Sequence, residues 1–502
     1  MASPGDPPGP DGTPGAHREE STAGAHGQEG ADPRRWKALT VCLVSGFMTL
    51  LDVSIVNVAL PSIRVGLHAP PSDLQWVVSG YALAFGLVLV PSGRFGDTHG
   101  RRSAFISGVV LFTLASMAAG ASPGSTWLVV ARIVQGAAGG LINPQVSGLI
   151  QQLFRGAERG RAFGLLGATI GISTAIGPLL GGLLIQLGGR QDGWRYVFYV
   201  NIPIGILAIV LAYHYIPGGG ARRRREDMDP VGVLLLATAI FLVLLPLVEG
   251  QRWHGTGRWL LIPAGLLVLA LYAGWERWYG RRHEPMVDLS LFRRRSYALG
   301  ALIGMLYFGG FTAIFFILTQ YLQEGLGYSA LHAGLASTAF AVGAAPSAAL
   351  GGRIVTRIGR RLVALGLVLV TVGLTALDLV VRLMPTPKVG WAMAVPLFVA
   401  GLGSGLVVSP NQTLTLSEVP ISRAGTAGGV LQTGQRIGAS VGIAAVGSAF
   451  FSQVASTHGD YARAFRHALL VNIAFLLAAL VAALIDVLAE HRTRSASPRT
   501  PP

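Results

Sequence analysis

Long apolar stretches separated by short polar connections run through almost the whole chain. About fourteen of them reach the roughly 20 residues that cross a hydrocarbon core, at approximately 38–60, 74–92, 104–121, 126–152, 162–187, 196–216, 231–249, 259–278, 297–322, 330–352, 362–381, 390–415, 426–451 and 467–489. The pattern predicts an all-α integral membrane protein with fourteen transmembrane spans.

Composition agrees. Of the 502 residues 51% are hydrophobic and 13% charged, half the charge of an ordinary soluble domain. The net charge of +15 and the run Arg222 to Arg225 suggest nucleic acid at first sight. Their distribution argues against it. With both termini in the cytoplasm, about 28 of the 39 Lys and Arg fall in one set of connections and tails, which is the positive-inside pattern and supports an even number of spans. The chain is therefore expected in the cytoplasmic membrane, working as a monomer, with lipid as its surroundings and no nucleic-acid partner. Residues 1–36 are too poor in apolar surface to order themselves and read as a disordered cytoplasmic tail, with 490–502 a second one. No cleavable signal fits, because the first apolar run is long enough to span. The single cysteine, Cys42, rules out an intramolecular disulfide.

Polar residues inside apolar runs are costly and mark functional paths. In span 1, LDVSIVNVALPSI (51–63), Asp52 and Asn57 sit among aliphatics, and Asp52 is the one acid placed at depth. In span 4, RIVQGAAGGLINPQ (132–145), Arg132 needs water, a carboxylate or carbonyls if it is deep, or snorkels to the near surface if it is not. Gln135 and Asn143 follow on that span; Gln320, Asn411, Gln435 and Arg436 lie in or near later ones. Asp378 and Glu249 lie close to span ends, where interfacial solvation suits them. Trp194 and Tyr196, in GWRYVFYVNIPIG (193–205), fit an interfacial aromatic belt, with Asn201 starting the next helix at a kink. PMVDLSLFRRR (285–295) reads as a short amphipathic segment on the membrane surface.

Two stretches repeat 259 positions apart. GRFGDTHGRR (93–102) returns as GRIVTRIGRR (352–361), and the small-residue run GLLGATIGISTAIGPLLGG (164–182) as GTAGGVLQTGQRIGASVG (425–442). The same offset carries span 1 onto span 9. It implies two six-helix halves, 37–216 and 297–489, with two helices inserted over 217–296 and binding at the interface of the halves. Polar chemistry has diverged between them, since Asp97 falls on Thr356 and Gly177-Pro178 on Arg436-Ile437. By spacing alone, 164–182 fits a close helix-packing face as well as a functional hinge, with Pro178 bending the rod.

These motifs in order resemble the major facilitator superfamily, and within it the fourteen-span drug:proton antiporter family. The loop 93–102 keeps Gly93, Asp97, Gly100, Arg101 and Arg102 of the pattern G-x-L-A-D-R-x-G-R-R, while Phe95, Gly96 and Thr98 depart from it. Arg132, Gln135 and Gly136 match the span 4 motif. Gly164, Gly177, Pro178, Gly181 and Gly182 match the exporter motif of span 5, with Ser173 in place of one glycine. The resemblance implies a major facilitator fold and a proton-coupled antiporter that exports drugs or small amphipathic metabolites by alternating access. It implies that Asp52 and Arg132, with Asn57, Gln135, Asn143, Gln320, Asn411, Gln435 and Arg436, belong to a proton and substrate pathway. Asp97 would belong to a cytoplasmic gate, and span 5 would shape closure.

An uptake symporter or a dedicated exporter of one antibiotic or siderophore would suit the same fold. Enzymes and ATP-driven pumps find no support: the sequence has no H-E-x-x-H, nucleophile elbow, P-loop or metal-spaced Cys/His cluster, and His214, His254 and His332 are isolated. No cofactor or metal is expected, and the proton gradient would supply the energy.

Overall fold

The computed structural model describes residues 34–218, 229–248, 256–384 and 389–496. Residues 1–33 of the expected first tail, the Arg222 cluster, Glu249, His254 and the last six residues lie outside these; the tail boundaries are corrected, because Arg35 and Trp36 already belong to the first helix and the last helix continues through residues 490–496. Among the described residues the fold is all helical: α1 (Arg35–Leu67), α2 (Pro71–His99), α3 (Arg101–Gly120), α4 (Ser125–Leu153), α5 (Gly156–Tyr199), α6 (Asn201–Tyr215), α7 (Pro230–Val248), α8 (Leu261–Tyr279), α9 (Arg295–Gln320), α10 (Ala330–Ile358), α11 (Arg360–Leu383), the single turn α12 (Val389–Ala392), α13 (Ala394–Thr415), α14 (Ala424–Ser456) and α15 (Tyr461–Ala496). Fourteen helical segments among the described residues are long and apolar enough to cross a membrane.

The spans fall where hydropathy puts them, with one adjustment. The fifth segment runs over Gly156–Gly189 and the sixth over Gln191–Tyr215, so the residues around Trp194 already belong to the returning helix. Gly189 makes the reversal at φ 79°, a backbone region that favours glycine, while the helix continues through Pro178. Trp194 is fully buried there against α1, which corrects the belt assignment; Tyr196 is half exposed and fits it.

Helices α1–α6 supply most of two apolar clusters, one around Phe105, Phe112 and Phe163 that also takes in Tyr297, Leu416 and Leu431 of the later half, and one around Trp194. Helices α9–α15 enclose another around Tyr307, Leu367 and Phe465. The inserted α7 and α8 pack on each other, and α7 lies against α2 and α14. The 285–295 segment is not a lipid-facing amphipath: Met286, Val287 and Leu291 are buried under these helices. Its backbone N–H groups at Met286 and Val287 donate to the buried Glu276 carboxylate at 3.1 and 3.3 Å.

The arginine-rich connections between α2 and α3, α4 and α5, and α10 and α11 gather at one end of the bundle. There Gly100 (φ 99°) and Gly359 (φ 65°) turn the chain at repeat-related positions. At this basic end the two sets of helices are closed on each other.

Candidate proton and substrate site

Asp52 lies at the centre of a buried polar knot formed by α1, α3, α4 and α6. Its Oδ2 accepts from Arg132 Nη1 at 2.5 Å, and its Oδ1 accepts from Gln135 Nε2 at 2.8 Å and Asn201 Nδ2 at 3.0 Å. Arg132 Nη1 also donates to Gln135 Oε1 at 2.7 Å, and its Nε to the Val77 carbonyl at 3.0 Å. Ser116 Oγ accepts from Gln135 Nε2 at 2.6 Å. Asp52, Gln135, Ser116 and Asn201 are all 0% exposed and Arg132 2%, so each charge is compensated inside protein. Arg132 does not snorkel. Its guanidinium stacks 4.2 Å from the centre of the Tyr81 ring, and Tyr81 stacks in turn on Phe85 at 6.1 Å. At the other ring of that pair, Arg436 of α14 stands 4.4 Å over Phe85. An aromatic bridge thus links the cation of the first six helices to that of the later ones.

Other pathway candidates are dispersed. Asn57 is exposed and donates to the Val53 carbonyl at 3.1 Å, and Asn143 donates to the Gly139 carbonyl at 3.0 Å. Gln435 lies partly buried near Gly304, and Gln320 partly buried near the end of α9 away from the knot. Asn411 joins a second buried cluster, accepting from Arg360 Nη1 at 3.2 Å. Arg360 pairs with Asp486 at 2.7 Å and donates to the Ser296 carbonyl at 2.7 Å. Arg360 is the repeat counterpart of Arg101, so both halves use this arginine to hold their basic ends. Two further acids are buried near the ends of their apolar runs: Glu276 and Asp486 are 2% and 1% exposed.

The loop motif forms a tie between the halves. Asp97 Oδ1 accepts from Arg101 Nη2 at 2.8 Å and from the Gly425 N–H at 3.1 Å; its Oδ2 accepts from the Thr426 N–H at 2.8 Å and Thr426 Oγ1 at 3.0 Å. These N–H groups open α14, so a carboxylate from α2 caps the positive end of a helix in the other half. Arg101 Nη1 donates to the Gly148 carbonyl at 2.8 Å, and its Nη2 to the Ile421 carbonyl. Arg102 turns outward to the Tyr213 carbonyl at 2.6 Å. A Cβ on Gly93 would stand 2.4 Å from the Gly425 carbonyl oxygen. Thr98, which replaces a cation, turns its hydroxyl back to the Arg94 carbonyl at 3.0 Å. At Gly96 a Cβ would lie 1.8 Å from Gln145 Oε1, so the motif's alanine would require that side chain to shift.

The span 5 motif divides its contacts. Gly164 faces α10, where an added Cβ would meet the Ala348 carbonyl at 2.9 Å, and Gly160 meets Gly352 still more closely. Gly177 and Gly181 instead face Ser54 and Ile55 of α1, just after Asp52, with Cβ distances of 2.4 and 2.8 Å. Pro178 approaches Gly334, Ser173 is buried and bonds the Thr169 carbonyl at 2.7 Å, and Gly182 has open space around it.

Asn201, expected only at a helix-start kink, and Ser116 are additions to the expected pathway residues. Asn201 carried a signal, being polar at the head of an apolar helix, but Ser116 carried none.

A multi-pass bundle with buried, charge-compensated polar knots on membrane-length helices defines a membrane transport protein. The sequence pattern of the Major Facilitator Superfamily matches residues 42–443 and 300–501, and the chain belongs to that family of transporters. It is 36% identical over 459 residues to a probable actinorhodin transporter of Streptomyces coelicolor, covering 90% of this chain and 77% of that one. It is 32% identical over 450 residues to the tetracenomycin C resistance and export protein of Streptomyces glaucescens, covering 88% and 81%. Among solved structures, the proton:xylose symporter XylE bound to 6-bromo-6-deoxy-D-glucose superposes with a TM-score of 0.64 over 89% of this chain and 95% of its own, at 16% identity, a likeness of fold.

Proposed function

We propose that this transporter exports small amphipathic organic molecules, antibiotics among them, across the cytoplasmic membrane in exchange for protons. The basic end and both termini would face the cytoplasm. The observation that carries the reading is the Asp52 carboxylate, fully buried on a membrane helix and held by Arg132, Gln135 and Asn201. Intramembrane carboxylates of this kind mark proton paths. The relative described as a resistance and export protein favours outward transport, which the fold alone does not fix.

With the cytoplasmic end closed, a proton from outside reaches Asp52 and turns an acceptor of three hydrogen bonds into a neutral acid. Arg132 keeps the Gln135 and Val77 oxygens and the Tyr81 face, but its counter-charge is gone. Helix α1 then loosens from α4. Because Ser54 and Ile55 seat Gly177 and Gly181, the movement passes into α5 and along it to the seam with α10 at Gly160, Gly164 and Gly352. Substrate is released outside as the proton is taken up, and both fluxes are linked through one carboxylate. No cofactor enters this cycle, and one chain suffices for it.

Purified protein in proteoliposomes, with a panel containing actinorhodin and tetracenomycin C, tests the reading. Substrate movement should follow an imposed pH gradient and stop when the gradient is collapsed. Transport indifferent to the gradient would exclude proton coupling, and transport of a single panel member would favour a dedicated exporter.

A further inference from the structure

Outside the polar knots, one cavity combines charge with apolar surface. At the basic end, where α1, α5 and α10 meet, a pocket of about 420 Å³ is lined by Trp36, Arg161, Leu165, Ala349 and Arg353. Arg161 belongs to α5 and Arg353 to α10, so its two cations come from opposite halves. Both side chains are exposed, and among the described residues neither makes an ion pair or hydrogen bond. The adjacent acid, Glu158, is already taken by Arg35 at 2.8 Å. Two guanidinium groups facing one pocket without a counter-charge make it attractive to an anion.

Depth identifies the kind of anion. Arg161 is five residues into α5, Arg353 five before the end of α10, and Trp36 the second residue of α1. Arg161 immediately precedes the apolar run 162–187 and Arg353 immediately follows the run 330–352, so both border the stretches that suit hydrocarbon, where lipid headgroups lie. Trp36 is edge-packed on Phe154 at 4.9 Å, as an interfacial anchor would be. Below the arginines the surface becomes apolar and outward-facing: Leu165 and Ile172 continue down α5, Leu350 and Val342 down α10, all exposed. A ligand with a phosphate at one end and acyl chains at the other matches both parts.

We propose that this pocket binds an anionic phospholipid, whose headgroup phosphate bridges Arg161 and Arg353 while its chains lie along the α5–α10 groove. The lipid would then staple the two helices beside Gly160 and Gly352, the contact that must part when this end opens. Binding favours the closed form, and membrane composition tunes the transport cycle.

Native mass spectrometry of the full chain, titrated with phosphatidylglycerol, phosphatidylcholine or inorganic phosphate, tests this. The wild type should retain phosphatidylglycerol in preference to phosphatidylcholine. At the usual contribution of each arginine to anionic-lipid attraction, Arg161→Gln/Arg353→Gln should weaken retention about 30-fold. Both positions are exposed, so the variant should fold, and Arg161→Lys/Arg353→Lys should restore most of the binding. Equal phosphatidylglycerol retention by wild type and the Gln variant, or equal retention of phosphatidylcholine, would overturn the proposal. So would displacement of the lipid by low-millimolar phosphate, which would make the pocket a free-anion site.

Discussion

Asp97 grips Thr426 twice, through the backbone N–H at 2.8 Å and the side-chain hydroxyl at 3.0 Å. One carboxylate of the first six helices therefore fixes the start of α14 in the later ones. Hydrogen bonds to a charged group contribute about 1.5–3 kcal/mol, enough to decide which end of the transporter is open. Asp97→Asn should raise the population opened at the basic end about tenfold or more. Spin labels at the exposed Arg155 and Arg357 positions, one on each side of the α5–α10 seam, would read this as a growing long-distance component.

The seam itself has no room for a side chain. A Cβ at Gly352 would stand 2.2 Å from the Gly160 carbonyl oxygen and 2.7 Å from the Gly164 Cα, both backbone atoms that cannot swing away. Gly352→Val should abolish transport while the protein still inserts and purifies, because the halves can separate but not close. Gly182→Ala is the matched control: nothing lies within 4 Å of its Cβ, so transport should remain at the wild-type level.

Breaking the buried ion pair from its two sides should not be equivalent. Arg132→Ala takes the counter-charge from Asp52 and also empties the volume of a buried guanidinium packed on Tyr81, a loss of about 3–5 kcal/mol. Asp52→Asn also costs its partner a counter-charge, but it is isosteric and Arg132 keeps the Gln135 oxygen, the Val77 carbonyl and the Tyr81 ring, so it should destabilise less. Thermal unfolding in detergent should place the midpoint of Arg132→Ala clearly below that of Asp52→Asn.

The segment before α9 adds a pH-resistant tie. Burial alone would raise the Asp288 carboxyl, but hydrogen bonds from Ser290 and the Arg423 and Arg294 charges outweigh it and hold the group below the usual carboxylate range. A depressed folded-state value means that the Asp288–Arg423 pair contributes fully above the unfolded carboxylate range and is lost only as pH falls through the lowered one. The pair is partly exposed, so its contribution is at most about 1 kcal/mol. The difference in melting temperature between wild type and Asp288→Asn should stay flat from neutral pH to about pH 5 and shrink only below the usual carboxylate range.

Hydropathy made the fourteen spans legible because a membrane helix must be apolar along its whole length. The positions of Asp52, Arg132 and Gln135 were legible for the complementary reason, that a charge or amide in such a helix stands out. What the sequence could not say is which polar groups share a knot. Asn201 reaches Asp52, and Ser116 reaches Gln135, only through the packing of α3 and α6 on α1 and α4, and Asp486 meets Arg360 from 126 positions further along the chain. Trp194 misled because an aromatic next to a span end reads as an anchor, whereas the turn at Gly189 folds it under α1. The glycines of span 5 were recognisable as close-approach positions, but their division between α1 and α10 appears only in three dimensions.

The central claim is that the proton drives export through Asp52. The most direct measurement is pH-gradient-driven substrate uptake into inverted membrane vesicles, wild type against Asp52→Asn at matched expression. The account predicts accumulation by the wild type that collapses with the gradient, and none above background by the variant. Gradient-driven accumulation by Asp52→Asn at the wild-type rate would contradict it.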